Sequence, residues 1–371
     1  MTVTIPQANP GAGYRALKPE IDAAVARALD SGWYILGQEG RGFEAEFANF
    51  LGAEAAVGCA NGTDALALAL RGLGIGAGAT VITVSHTAVA TVAAVEMAGA
   101  TPLLLDIDPA HYTLDPTELA EVLAHPPAGL PPIRAVVVVH LYGQAADLDV
   151  ILKLCRAHGV ALIEDCAQAH GATLHGKRLG TIGDVGTFSL YPTKNLGALG
   201  DGGVLATNDT SLAARIAALR QYGWRTHYIS DEIGVNSRLD EIQAAILRAK
   251  LPHLDAHNAR RGKIADAYDA ALSDLRPPAR RRNATHVFHQ YVLRVADRAA
   301  IQARLREQGI GTGIHYPMPV HLQPAYQDRI ALGPARCQAS ETAAAEVLSL
   351  PMYPELTDAQ VDQVCVALRS I

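Results

Sequence analysis

The sequence predicts an α/β protein in two parts: a large domain over residues 1–254, built on a mostly parallel sheet flanked by helices, and a smaller C-terminal α/β domain over 255–371. Two observations carry this prediction. From about residue 80, apolar runs of strand length alternate with helix-patterned segments, the signature of strand–helix–strand units. After Asp255 the alternation continues with fewer elements, which suits a smaller unit.

Taken in order, Leu17, Ile21, Val25 and Leu29 recur at helical spacing, and Phe43, Phe47 and Leu51 do the same, so both stripes are expected to face a core. An Asn61-Gly62-Thr63 start leads into an Ala- and Leu-rich helix reaching Leu70. The glycine run Gly72–Gly78 follows that helix and precedes a strand, whereas a dinucleotide fingerprint follows a strand and opens a helix, so the run reads as a connection. Val81–Ile107 is apolar enough to suggest a membrane span, but Thr83, Ser85, His86, Glu96, Gly99 and Pro102 interrupt it. It divides instead into strand Thr80–Val84, helix Ala88–Ala98 and strand Thr101–Asp106. Further strands are expected at Ala135–His140, Val160–Ile163, Thr187–Tyr191 and Gly203–Thr207, with helices at Leu212–Leu219 and Leu239–Leu251. The smaller domain offers strand His289–Val295, helix Asp297–Gln308, strand Val347–Leu350 and helix Asp358–Leu368.

Composition excludes several classes. With 371 residues, 49% hydrophobic and 18% charged, the chain is long enough for a large core. A net charge of -6 leaves no electrostatic footprint for nucleic acid, and the basic cluster Arg276–Arg282 holds two prolines and reads as a loop. No signal peptide is visible at the start, and the five cysteines lack metal-like or disulfide-like spacing, so a cytoplasmic protein without a membrane partner is expected. His315 and His321, six apart in a proline-rich loop, have no neighbouring carboxylate or thiol to complete a zinc site, so no metal is expected.

Three stretches point to chemistry. In Asp184–Gly203 a strand is followed by Lys194 and then by Gly197, Gly200, Gly202 and Gly203, which leave room beside the amine. A lysine placed so that its pKa can fall is the usual trap for a carbonyl, and pyridoxal phosphate is the commonest carbonyl so held. In Val160–Gly171 an apolar strand ends at Asp165, at the end where open α/β sheets bind ligands. A carboxylate there can keep a pyridine nitrogen protonated, and Gln168 can donate to a ring hydroxyl. The third stretch is the start of the Ala- and Leu-rich helix. Its free N–H groups suit a phosphate, which Gly62 lets approach and the Thr63 hydroxyl can bond. Taken singly, a loop lysine, a turn acid and an ordinary helix cap account for each; the combination is what carries weight.

The ordered motifs Asn61-Gly62-Thr63-Asp64-Ala65-Leu66, Glu164–Gly171, Ser189–Gly197 and Gly234–Glu241 resemble the DegT/StrS-type sugar-nucleotide aminotransferases, from about Tyr14 to the C-terminus. The resemblance implies a fold-type I aminotransferase-like fold with a seven-stranded mixed sheet. It also implies pyridoxal 5'-phosphate as cofactor, with pyridoxamine phosphate as its amino-loaded form. Lys194 and Asp165 are then the catalytic pair, and Gly62, Thr63, His86, Gln168, Ser189 and Asn236 complete the cofactor site. His86 would stack on the ring, and Asn236 would reach the neighbouring subunit's cofactor in a homodimer with shared sites. The substrate side would comprise Trp33, Tyr191, Tyr222, Arg225, Tyr228, His315, Tyr316 and His321. The implied partners are an amino donor, L-glutamate, and a nucleotide-linked keto-sugar. Tyr191, the Asn195–Asp201 continuation, His315 and Tyr316 resemble the branch that aminates C3 of a dTDP-linked 3-keto-6-deoxyhexose. Amination at C4 and a non-enzymatic pyridoxal-binding regulator are the alternatives. Lys194 speaks against the related dehydratases, which carry histidine at that position.

Overall fold

The structure is a computed structural model and describes residues 3–272 and 275–370. In chain order its main elements are helices α1 (Lys18–Asp30) and α2 (Gln38–Leu51), strand β1 (Ala55–Cys59), helix α3 (Gly62–Gly72), strand β2 (Thr80–Val84), helix α4 (Val89–Met97) and strand β3 (Thr101–Leu105). Strands β4 (Ile133–Val139), β5 (Ala161–Asp165), β6 (Val185–Ser189) and β7 (Gly203–Thr207) follow, then helices α5 (Glu241–Lys250) and α6 (Leu254–Ala271).

The sheet runs β1-β7-β6-β5-β4-β2-β3, the expected seven strands, and gains an eighth at the β3 edge from Ala331–Leu332. Only β7 runs against its neighbours; the rest share one direction, so their C-terminal ends open along one side of the sheet. Period-two alternation explains both cores. Ile82, Val84, Val136, Val138 and Leu162 face one layer together with Phe43, Phe47 and Phe188. Val81, Ala135, Val137 and Ile163 face the other, against the Ala65–Leu70 side of α3. A separate cluster farther along the chain joins Ile264, Tyr268, Tyr291, Leu293, Leu305, Leu348 and Val364 with Ile5 from the N-terminal segment.

Several expectations change in detail. The Leu29 side chain is 48% exposed: Leu17, Ile21 and Val25 of the stripe pack against Ile246 of α5 and Ala24 and Ala28 against Ala245, while Leu29 stays outside both contacts. The strand read to Tyr191 stops at Ser189: the Lys194 amide donates to the Tyr191 carbonyl at 2.8 Å, so Tyr191 opens a turn. The loop after Gln221 contains a short hairpin, Trp224–Thr226 with Ile229–Ser230. Helix α5 starts at Glu241 and not at Leu239. Ser237, a few residues before it, donates to Asp64 at 2.6 Å and accepts from the Ala60 amide at 3.1 Å, bracing the start of α3. No helix of the described residues is long and apolar enough to cross a membrane.

Candidate active site

The turn after β6 is built by its backbone. Besides the Lys194–Tyr191 bond, the Ala198 amide donates to the Leu190 carbonyl at 2.8 Å, folding the chain back beneath the strand end. A Cβ on Gly197 would stand 2.6 Å from the Pro192 carbonyl oxygen, so this closure needs glycine. The fold desolvates the Lys194 amine, which pushes its pKa from 10.5 to about 8, with the charge of Asp165 acting against that fall. Among the described residues the amine has no hydrogen-bond partner.

Asp165 ends β5, whose last four residues are all buried. Its carboxylate accepts from the Ala167 amide at 3.1 Å and from the Thr91 hydroxyl at 2.9 Å. Burial nevertheless raises its pKa, against the opposing pull of the Lys194 charge. Gln168 is oriented by its carbonyl, which accepts from the Tyr142 amide at 2.7 Å. Its nitrogen faces the Tyr316 hydroxyl at 3.0 Å.

At the start of α3, Asn61 caps the helix by accepting from the Asp64 amide at 2.8 Å, while the amides of Gly62 and Thr63 take no partner among the described residues. A Cβ on Gly62 would lie 2.7 Å from that of Ser189, so glycine lets the helix end approach the end of β6. The result is a notch with free N–H donors and a serine hydroxyl. His86 follows β2 and is fully buried. Its Nε2 bonds the Tyr142 hydroxyl at 2.9 Å, while its Nδ1 has no partner. Burial pushes its pKa down to about 4, so the ring is neutral.

The substrate-side residues divide into two groups. His315 and Tyr316 join the interior cluster: His315 Nδ1 meets Ser349 Oγ at 2.8 Å, and its carbonyl accepts from Tyr142. Burial holds the Tyr316 phenol well above its ordinary pKa of 10.0, so it stays a hydrogen-bond donor. His321 is buried with both ring nitrogens engaged, by Ser85 at 2.7 Å and Glu341 at 3.1 Å, and so braces the loop after β2. Trp33, Tyr191, Tyr222, Arg225 and Tyr228 are exposed, as is Asn236 beside the hairpin. Arg225 is drawn toward Asp231 and Glu232 at 3.7 and 3.8 Å.

Sequence reasoning missed Thr91, Tyr142 and a buried acid beside Asp165. Glu164 accepts amides of Gly180, Ile182 and Gly183 at 2.7–2.8 Å and the His140 ring at 3.0 Å. His140 and Cys166 place ligand atoms within 4.8 Å of Glu164. However, the carboxylate already takes four bonds, and His140 Nδ1 accepts from the Ala146 amide, so this set is spent on structure. The signal for Tyr142 was its position just past β4, on the sheet edge that also carries Asp165.

A pyridine ring with a phosphate arm asks for an anion notch, an acid for the ring nitrogen and an amine for the aldehyde carbon. The open N–H groups at Gly62 and Thr63, the buried carboxylate of Asp165 and the free amine of Lys194 meet those needs, so the residues present fit pyridoxal phosphate.

Comparison with known proteins agrees. The model of the DegT/DnrJ/EryC1/StrS aminotransferase family matches residues 15–369. The dTDP-3-amino-3,4,6-trideoxy-alpha-D-glucose transaminase of Streptomyces venezuelae is 44% identical over 99% of this chain and 96% of its own. A UDP-N-acetyl-3-dehydro-alpha-D-glucosamine 3-aminotransferase of Acidithiobacillus ferrooxidans is 41% identical over 98% and 97%. The crystal structure of S. venezuelae DesV in complex with a ketimine intermediate superposes with a TM-score of 0.94 at 44% identity, covering 99% of this chain and 98% of DesV. A Bacillus subtilis structure, ntda with bound cofactor PMP, matches with a TM-score of 0.89 at 28% identity, over 99% and 85%. The chain belongs to the DegT/DnrJ/EryC1/StrS aminotransferase family and is a pyridoxal-phosphate-dependent sugar aminotransferase.

Proposed function

We propose that this enzyme moves the amino group of L-glutamate to C3 of a dTDP-linked 3-keto-6-deoxyhexose. The observation that carries the position is that the two relatives above differ in nucleotide and in sugar, yet both are named for a 3-amino group or a 3-amination. The dTDP carrier follows the relative of higher identity.

When bound, the cofactor's protonated ring supplies the electron sink for breaking the donor's Cα–H bond. Lys194 attaches the cofactor and, once freed, takes the proton from the donor's α-carbon. In the second half-reaction it places a proton on sugar C3. An amine with its pKa at about 8 suits both tasks, since near neutral pH it holds and releases a proton at small cost. Asp165 would hold the proton on the pyridine nitrogen, a cation that would offset the burial of its carboxylate. Gln168, whose nitrogen meets the Tyr316 hydroxyl, would offer that nitrogen to the ring hydroxyl, and His86 would border the ring. Gly62, Thr63 and Ser189, with Asn236 of the partner subunit, enclose the phosphate.

On the sugar side, His315 and Tyr316 lie on the Gln168–Tyr142 network, where a donor phenol and a neutral imidazole can bond the hydroxyls beside the ketone. Placement to within about an ångström then selects the carbon that reacts. The exposed Trp33, Tyr191, Tyr222, Arg225 and Tyr228 supply the rim across a homodimer. His321 supports this site through Ser85. We place the domain boundary at 254/255, in the first turn of α6.

Incubation with glutamate and paired 3-keto and 4-keto dTDP-6-deoxyhexoses, with product position read by NMR, tests the reading. Amination at C3 is expected. Exclusive amination at C4 would refute the position while leaving the aminotransferase intact.

A further inference from the structure

Behind Lys194 runs a chain of buried amide and imidazole groups that the site as described does not use. Asn195, the next residue, is 9% exposed and spends its whole side chain on protein partners. Its Nδ2 donates to Asn258 Oδ1 at 2.8 Å and to the Val287 carbonyl at 2.9 Å. With both N–H bonds given away, its Oδ1 is left to accept, and the group it meets at 3.3 Å is His289 Nδ1. His289 therefore carries its proton on Nδ1, and its Nε2 is left to accept from Gln290 Nε2 at 3.4 Å. The Gln290 carbonyl oxygen in turn accepts from Gln7 Nε2 at 2.5 Å. At the other end Asn258, once it has accepted from Asn195, donates to the His170 carbonyl at 2.8 Å. Only this one orientation gives every bond a donor and an acceptor. The chain therefore has a single direction, from Gln7 in the N-terminal segment through Gln290, His289 and Asn195 to the segment following Asp165.

This order has a cost that a packing role does not require. Asn195, His289 and Gln290 are polar and at most 9% exposed, and apolar residues of similar size would fill the space without demanding partners. What the polar chain adds is direction and a fixed distance. It ties the residue beside Lys194 to three separate segments: the strand approach at Val287–Gln290, helix α6 through Asn258, and the N-terminal segment, which the Met352 amide holds at the Gln7 carbonyl at 3.1 Å.

We propose that Asn195 and His289 are positioning residues that hold the Lys194 amine at its working place, through a directed hydrogen-bond chain that ends at Gln7. The proposal rests on the reading of Lys194 as the amine that attaches the cofactor and moves the proton. The amine is faced by Asp165 from β5 and by the imidazoles of His170, His289 and His315, all three kept neutral by burial. A turn that slips lets the amine leave this surround for water.

The test reads Lys194 directly in cofactor-free protein, as the pH dependence of its modification by an amine reagent, quantified by peptide mass spectrometry; kcat and KM are measured in parallel on the loaded enzyme. In the wild type, half-maximal reactivity is expected near pH 8. In Asn195→Ala the amine regains water, so the midpoint climbs toward 10.5. There kcat falls about 100-fold, as expected for a displacement of about an ångström, with KM for the nucleotide sugar within about threefold. His289→Phe moves both readouts the same way by less. His289→Asn, which keeps an N–H donor for Asn195, restores most of the loss. Gln7→Ala, at the end of the chain farthest from Asn195 and partly exposed, gives a small shift of the same sign.

An unchanged midpoint and kcat in folded Asn195→Ala would overturn the proposal. If that variant does not fold, the His289 pair decides, and equal behaviour of His289→Phe and His289→Asn overturns it. Failure of the underlying reading looks different: borohydride reduction of the holoenzyme would then leave the cofactor on a peptide without Lys194, while the reagent titration would still report the chain.

Discussion

Two lysines of this chain share one physical state. Burial brings the amines of both Lys194 and Lys250 from 10.5 down to about 8, and in each case one carboxylate acts against the fall, Asp165 for the first and Glu355 for the second. Their surroundings differ. Lys194 stands past a strand end, among the open ends of the parallel strands, with no hydrogen-bond partner for its amine among the described residues. Lys250 ends α5 and binds the Gly197 carbonyl, so the second lysine braces the turn that carries the first. A lowered pKa therefore records desolvation, and only geometry separates an amine poised for chemistry from one used as a strut.

The largest expected effect breaks the pair apart. Lys194→Ala should abolish turnover by at least about 10⁴-fold and remove lysine-linked cofactor, whereas Lys250→Met should keep kcat within about tenfold. Steady-state rates and the absorbance of the bound cofactor measure both. Comparable losses in the two variants would mean that the brace and the chemistry cannot be separated.

Next is Asp165→Asn. Its kcat should fall by about 100-fold or more while cofactor retention changes less, because the ring nitrogen loses its acid before the phosphate loses its notch. The same variant sharpens the comparison through sign. Asp165 raises the pKa of Lys194, so its removal should shift the midpoint of Lys194 reactivity in cofactor-free protein to below about 8. A midpoint that does not move would place the two groups out of electrostatic reach.

A third expectation concerns the exposed Asn236. If it serves the partner subunit's site, Lys194→Ala and Asn236→Ala proteins should complement each other on mixing. Random exchange in a two-fold dimer makes half the dimers hybrid, with one intact site in each, so activity should recover to about a quarter of wild type. No recovery after demonstrated subunit exchange would argue for sites contained within one chain.

The parts of the site legible in the sequence are those that one segment encodes by itself. Asp165 ends an apolar run, Lys194 sits between a strand and a glycine-rich turn, and Gly62 opens an Ala- and Leu-rich helix. Each is a local pattern at an element end, and each element is present, the strand before Lys194 ending at Ser189 and not at Tyr191. The parts that were not legible are partnerships between distant segments. Thr91 reaches Asp165 across 74 residues, Gln168 reaches Tyr316 across 148, and Asn195 reaches His289 across 94. No periodicity marks such pairs, because packing alone brings them together. The stripe on α1 failed at Leu29 for a related reason. Leu17, Ile21 and Val25 meet Ile246 of α5 as the spacing predicts, but where along the helix that contact ends is set by packing, and Leu29 falls outside it.

The smallest effect tests the strut in stability and not in rate. Lys250 has a folded pKa of about 8 against 10.5 when unfolded, so between those values the unfolded chain binds more protons and stability rises with pH. Below about pH 8 the folded state carries the whole penalty of a desolvated ammonium, at most about 3 kcal/mol before the bond to Gly197 is set against it. Methionine fills similar space with neither the charge nor the bond. Lys250→Met should therefore gain most relative to wild type near pH 7, and should lose that advantage by about pH 10, where the wild-type amine folds neutral and keeps its hydrogen bond. Thermal melts of both proteins at the two pH values measure this. A relative stability that does not change with pH would show that Lys250 is not desolvated, and would remove it as the counterpart of Lys194.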